Sequence, residues 1–185
     1  MNPPTQPTIE RACLILGRIM DRLTFHPTLR EITTEEMGRG YSVTITVRVS
    51  RPDMARMIGK QGATIRALSG LLAAIGAKHG LSIALRLAEP WEAEPDQHGK
   101  FRPCNHWDAD PTRRLLQDCC DAMFSSPAVV RIEDGRACCS LAEISIGNLV
   151  DRRTVAAVEK SMAWIANVLG KSEGRLLTLE IVNRT

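Results

Sequence analysis

Between residues 8 and 23 apolar side chains fall at Ala12, Leu16, Ile19 and Leu23, a spacing of four, three and four that sets them on one helical face. Phe25-His26-Pro27 interrupts that periodicity, and Leu29 to Ile32 reads as a short strand. Gly38-Arg39-Gly40 then supplies a turn before residues 41–49, which alternate strictly from Tyr41 to Val49 and predict the clearest strand of the chain. Ser50-Arg51-Pro52-Asp53 has the form of a helix start, with Ser50 as N-cap and Pro52 inside the first turn, and the short helix it opens ends at Gly59. Beyond Gly62 a longer helix is predicted from Ile65, Leu68, Leu72 and Ile75. Gly80 closes it before a strand from Leu81 to Leu87.

The same order of elements returns later in the chain. A helix over 111–124 ends in Phe124-Ser125-Ser126-Pro127, as the first one ends in Phe25-His26-Pro27. A strand over 128–132 meets Asp134-Gly135, a hairpin signal, and a second strand follows over 137–144. Val155, Val158, Met162 and Ile165 each lie 90 positions after Ile65, Leu68, Leu72 and Ile75, and the closing strand at 176–181 parallels 82–87. The pattern predicts an α+β chain of two tandem αββααβ units, each a three-stranded sheet covered by helices. Their bounds are 8–89 and 111–185, with a linker at 90–110 that holds Trp91 and Trp107, both expected to pack against the units.

Composition adds bounds rather than detail. In 185 residues, 44% of them hydrophobic, there is enough apolar surface for a buried core, and the net charge of +3 permits an anionic partner without arguing for one. The start of the chain lacks the pattern of a secretory signal, and no apolar run is long enough to span a bilayer. The expectation is therefore a cytoplasmic protein with no membrane partner. The six cysteines include two adjacent pairs and no CxxC, which reads as reduced, mostly buried thiols. His98, Cys104 and His106 could offer three metal ligands, yet a fourth is not evident, so neither a metal nor any other cofactor is expected.

Charge becomes informative only locally. From 51 to 80 there are five bases (Arg51, Arg56, Lys60, Arg66, Lys78) against one acid, Asp53. At their centre lies Gly59-Lys60-Gln61-Gly62, set between a short helix and a long one. Glycine at both ends lets the backbone turn tightly and come close to a phosphate, and the amides opening the next helix carry partial positive charge. Lys60 adds a full charge, and Gln61 can donate a hydrogen bond.

This GxxG loop, with Ile58 and Ile65 flanking it, the capped helix before it and the amphipathic helix after it, resembles a KH domain of type II, the bacterial form. It is most similar to the small KhpA-type family of RNA-binding proteins. The resemblance implies that Gly59, Lys60, Gln61 and Gly62 clamp the backbone of about four nucleotides of single-stranded RNA, with Arg56 and Arg66 beside them. It also implies an adjoining groove for bases, with Met54, Met57, Ile58, Thr64, Ala67 and Leu68 as candidate lining. Core packing is the alternative role for these positions, and the expected one for Ile58, Ile65 and Leu68. Single-stranded DNA is not distinguished from RNA at this level.

The second unit departs from the family where the clamp should be. Fourteen residues lead from Ser50 to Thr64, but only nine from Ser145 to Thr154, and Leu149-Val150-Asp151-Arg152-Arg153 contains no GxxG. This degenerate unit is expected to stabilise the first, to pair with itself as a homodimer, or to bind a protein. No catalytic residues are expected: Gly170-Lys171-Ser172 ends a helix where a phosphate-binding P-loop must begin one, and the histidines lack a nucleophile or carboxylate partner. The reading is an RNA chaperone or a factor in post-transcriptional control or ribosome assembly. The alternative is a protein-interaction scaffold that uses KH folds without nucleic-acid binding.

Overall fold

The computed structural model describes residues 5–25, 30–37, 41–91, 109–124, 128–134, 139–147, 152–172 and 176–184. In chain order the elements are α1 (Thr5–Leu23), β1 (Arg30–Met37), β2 (Ser42–Val49), α2 (Arg51–Ile58), a 3-10 turn (Lys60–Gly62), α3 (Ala63–Lys78) and β3 (Ser82–Leu87). They are followed by α4 (Ala109–Met123), β4 (Ala128–Asp134), β5 (Cys139–Gly147), α5 (Arg152–Ser172) and β6 (Leu176–Arg184).

Two three-stranded sheets form, ordered β1-β2-β3 and β4-β5-β6. In each, the first pair is antiparallel and the second parallel, with Ile45 opposite Thr34 and Leu85 in one sheet, and Ile144 opposite Val130 and Ile181 in the other. A parallel pair needs a helical crossover, which α2 and α3 supply in the first case and α5 in the second. The alternation read from 41–49 is present as burial: Val43, Ile45, Val47 and Val49 face the helices, while Ser42, Thr44, Thr46 and Arg48 are half-exposed. The isolated bridge between Ser50 and Trp91, with the Arg48 guanidinium 3.7 Å from the Trp91 ring centroid, straps the end of this unit against β2.

Two expectations are corrected. First, β1 runs five residues past Ile32, to Met37, pairing with β2 along its whole length. Thr33 to Met37 are all exposed on this edge strand, so no apolar alternation marks its end. Second, among the described residues the later unit is one helix short: β5 ends at Gly147, α5 begins at Arg152, and the order is helix, strand, strand, helix, strand. The Asp134-Gly135 turn, Trp107, and His98, Cys104 and His106 lie outside the described residues, as do the side chains of Arg152 and Arg153.

The two units share one continuous buried cluster. It runs from Ile15, Leu16 and Ile19 of α1 through Leu68, Leu71 and Leu72 of α3 to Leu116 of α4 and Met162 and Ile165 of α5. α3 and α5 approach closely at Gly70, where an added Cβ would lie 2.4 Å from Ser161 Oγ and 3.6 Å from its Cβ. Lys78 at the end of α3 donates from Nζ to the carbonyls of Asp121 (2.8 Å) and Phe124 (2.6 Å), which caps the C-terminal end of α4. Arg18 of α1 pairs with Asp118 of α4. Among the described residues no helix is long and apolar enough to cross a membrane, and no group of acidic, histidine or cysteine side chains could hold a metal ion.

Candidate functional site

The 59–62 loop is built by its neighbours on both sides. Ser50 stands at the N-cap of α2, but its hydroxyl donates to Asp53 Oδ2 (2.8 Å) and makes no capping hydrogen bond to the helix backbone. The buried Asp53 in turn accepts from the Phe25 amide through Oδ1 (2.7 Å), tying α2 to the end of α1. Arg56 adds a second tie: Nη1 donates to the Leu23 carbonyl (3.1 Å), and its guanidinium lies 3.3 Å from the Phe25 ring centroid. Burial pushes the Arg56 pKa down from its usual value, and Asp53 partly offsets this. Arg56 is therefore a structural cation as well as one that borders the loop.

From Gly59 the backbone enters conformations that side chains resist. Gly59 has φ 71° and ψ 174°, a region essentially confined to glycine, and Gly62 is left-handed at φ 74° and ψ 19°. Between them Gln61, at φ 53° and ψ 28°, is the sole non-glycine residue with positive φ among the described residues. Gly59 also sits against α3, since a Cβ there would meet Thr64 Oγ1 at 2.0 Å and the Thr64 amide nitrogen at 2.9 Å.

Not every loop amide is available to a ligand. The Gly59 N–H donates to the Ala55 carbonyl (2.9 Å) and the Gly62 N–H to the Gly59 carbonyl (3.1 Å), so those two are already committed. Among the described residues the amides of Lys60 and Gln61 meet no backbone acceptor, and both residues are exposed. The exposed stretch of loop backbone with uncommitted amides is thus its middle.

The other sequence candidates divide by burial. Met57 is wholly buried in the core, which removes it from any groove, and Leu68 joins it there as expected. Thr64 is 2% exposed and serves as the floor beneath Gly59. Met54 is half-buried and packed on the core, Ile65 is half-buried, and Ile58, expected inside, is 41% exposed beside the loop. Arg66 is exposed, and its Nη1 would lie 3.1 Å from a Cβ at Gly62, so it arches over the second glycine.

Two clefts lie along the loop and the start of α3, and α5 of the later unit walls both. The first, about 360 Å³, lies between Gly59, Lys60 and Arg56 on one side and Trp164, Asn167 and Lys171 on the other, with Arg22 at its edge. The second, about 390 Å³, is bounded by Ala63, Arg66 and Ala67 and, across from them, by Lys160, Ser161 and Trp164. No carboxylate lines either cleft, while six cations do. Sequence reading placed only the first-unit residues here. Lys160, Trp164, Asn167 and Lys171 share one face of α5, off the apolar stripe of Val158, Met162 and Ile165, and that spacing alone does not mark them as site residues. What that face meets is a tertiary fact.

Comparison with known proteins agrees with this geometry. Residues 17–87, from the latter part of α1 to the end of β3, match the family described as KhpA/KhpB, KH domain. Over 76 residues the chain is 41% identical to the RNA-binding protein KhpA of Listeria monocytogenes, covering 41% of this chain and 96% of that protein. It is 27% identical over 74 residues to the RNA-binding protein KhpA of Chlamydia caviae, covering 40% of this chain and 92% of that protein. The family match ends at residue 87, so α4 and everything after it lie outside that match. With the helix–glycine loop–helix in place on a β1-β2-β3 sheet, and nearly the whole of a KhpA sequence matched, the chain belongs to the KhpA/KhpB family of bacterial KH-domain proteins.

Proposed function

We propose that this protein binds single-stranded RNA at the 59–62 loop and acts as an RNA chaperone or as a factor in post-transcriptional control or ribosome assembly. The observation that carries the reading is an exposed Lys60-Gln61 backbone step, bracketed by two glycines with positive φ and bordered by clefts lined with cations and no carboxylate. That combination suits a chain of phosphates, which presents regularly spaced negative charge and demands close backbone approach. The names of the KhpA relatives, each an RNA-binding protein, support the same ligand class.

On this reading residues 8–89 form the RNA-holding KH unit, 90–110 a linker, and 111–185 a degenerate KH-like unit. The same sheet order in both halves supports the tandem reading, and the α2 counterpart missing among the described residues accounts for the lost clamp. The test is the double substitution Lys60→Asp with Gln61→Asp, both at exposed positions whose change leaves the core intact. Loss of gel-shift binding to an unstructured RNA, with an unaltered melting temperature, is the expected result. With two or three phosphates neutralised, log affinity against log salt should have a slope of about −1.5 to −2. Unchanged affinity in the double variant overturns the proposal.

A further inference from the structure

The later unit is not a bystander to the loop. Its helix α5 presents Lys160, Trp164, Asn167 and Lys171 at spacings of four, three and four, so they form a single row about 16 Å long. That row faces the loop across the first cleft and the first turns of α3 across the second: Lys171 and Asn167 stand opposite Gly59 and Lys60, and Lys160 opposite Arg66, while the half-buried Trp164 walls both. Lys160 and Lys171 are exposed at its two ends. Cations on both banks with an aromatic surface between them match the two recurring parts of a single-strand site, a charged track for phosphates and a platform for bases. A peptide partner would leave most of those charges uncompensated unless it were strongly acidic.

We infer that α5 supplies the second bank of the RNA site, with Trp164 stacking a nucleobase beside the loop and Lys171 holding a phosphate opposite Lys60. The inference rests on the RNA-binding reading of the loop, and it gives the unit without a GxxG a direct contact with ligand. At Gly70, α3 packs closely on Ser161 of α5, which itself lines the second cleft.

The probe is a fluorescein-labelled single-stranded RNA octamer of mixed sequence, and the protein is the full chain carrying Trp91→Phe and Trp107→Phe, so that Trp164 is the sole indole. Titration should quench the Trp164 emission with the same midpoint as the rise in anisotropy. Trp164→Ala should weaken binding about 5- to 150-fold and Trp164→Phe much less. Lys171→Gln, at an exposed position, should lower the salt slope by about 0.7 while leaving the melting temperature in place.

Saturable binding that is lost on Lys60→Asp with Gln61→Asp, yet brings no quenching and no change of slope in Lys171→Gln, would leave the loop reading standing and refute the role of α5. Binding indifferent to the loop substitutions, or no binding at all, would refute both.

Discussion

The two glycines of the loop should differ sharply in what a methyl group does to them. At Gly59 alanine must hold φ 71° and ψ 174°, a strain of about 1–3 kcal/mol. Its Cβ also meets Thr64 Oγ1 at 2.0 Å and both the Thr64 Cβ and amide nitrogen at 2.9 Å. The hydroxyl could rotate away, but the amide belongs to the first turn of α3 and cannot yield without moving the helix, an overpacking cost of about 1–3 kcal/mol. Stiffening of the unfolded chain returns about 0.4–1 kcal/mol.

The net loss for Gly59→Ala is about 3 kcal/mol, which for a chain of this length lowers Tm by about 6–12 °C. Gly62→Ala is milder, because the left-handed penalty of about 1–2 kcal/mol is offset by the same unfolded-state term. The closest atom to its new Cβ is the mobile end of Arg66, at 3.1 Å, with Ile65 at an ordinary 3.8 Å. A fall of about 2–4 °C is expected there. Thermal unfolding followed by circular dichroism decides the matter. A Gly59→Ala protein that melts within 2 °C of wild type, or below which Gly62→Ala melts, refutes the geometry assigned to the loop.

Other outcomes follow from the interior. Gly70→Val should destabilise by about 1–3 kcal/mol by driving α3 from α5 across the Ser161 contact, and urea titration should register it as a lower midpoint. Lys78→Met strips the charged donor from the Asp121 and Phe124 carbonyls and should cost about 1.5–3 kcal/mol, read in the same titration. Burial raises the thiols of Cys119 and Cys120, the latter to about 12, so iodoacetamide at pH 8 should spare both in the folded protein, as peptide mapping would show. The unfolded chain releases those protons near pH 9.0 while the folded chain keeps them. Stability is therefore whole below that pH and falls as pH climbs toward 12, by up to about 1.4 kcal/mol per unit for each thiol.

Much of the first unit was legible in the residues themselves. Alternation over 41–49 located β2, and the spacing of Ile65, Leu68, Leu72 and Ile75 located α3, because both elements bury one face of a regular period. The end of β1 was not legible, since an edge strand of exposed Thr and Glu carries no period to read. Met57 and Ile58 exchanged roles for a related reason. Neighbours on a short helix point different ways, and only the pose of α2 against α1, set by Asp53 and Arg56, decides which goes inward. Trp164 and Lys171 escaped because periodicity assigns a residue to a face of its own helix, never to the helix across from it. The 90-residue offset hinted at a second unit but carried no information on which of its surfaces meets the loop.

That both units are joined through one cluster of buried side chains has a consequence for how the site responds to dilution. A cleft shared between two separate polypeptides dissolves as their concentration falls, and its apparent affinity fades with it. Here the two banks belong to a single covalent chain, so the cleft is as complete at nanomolar protein as at millimolar.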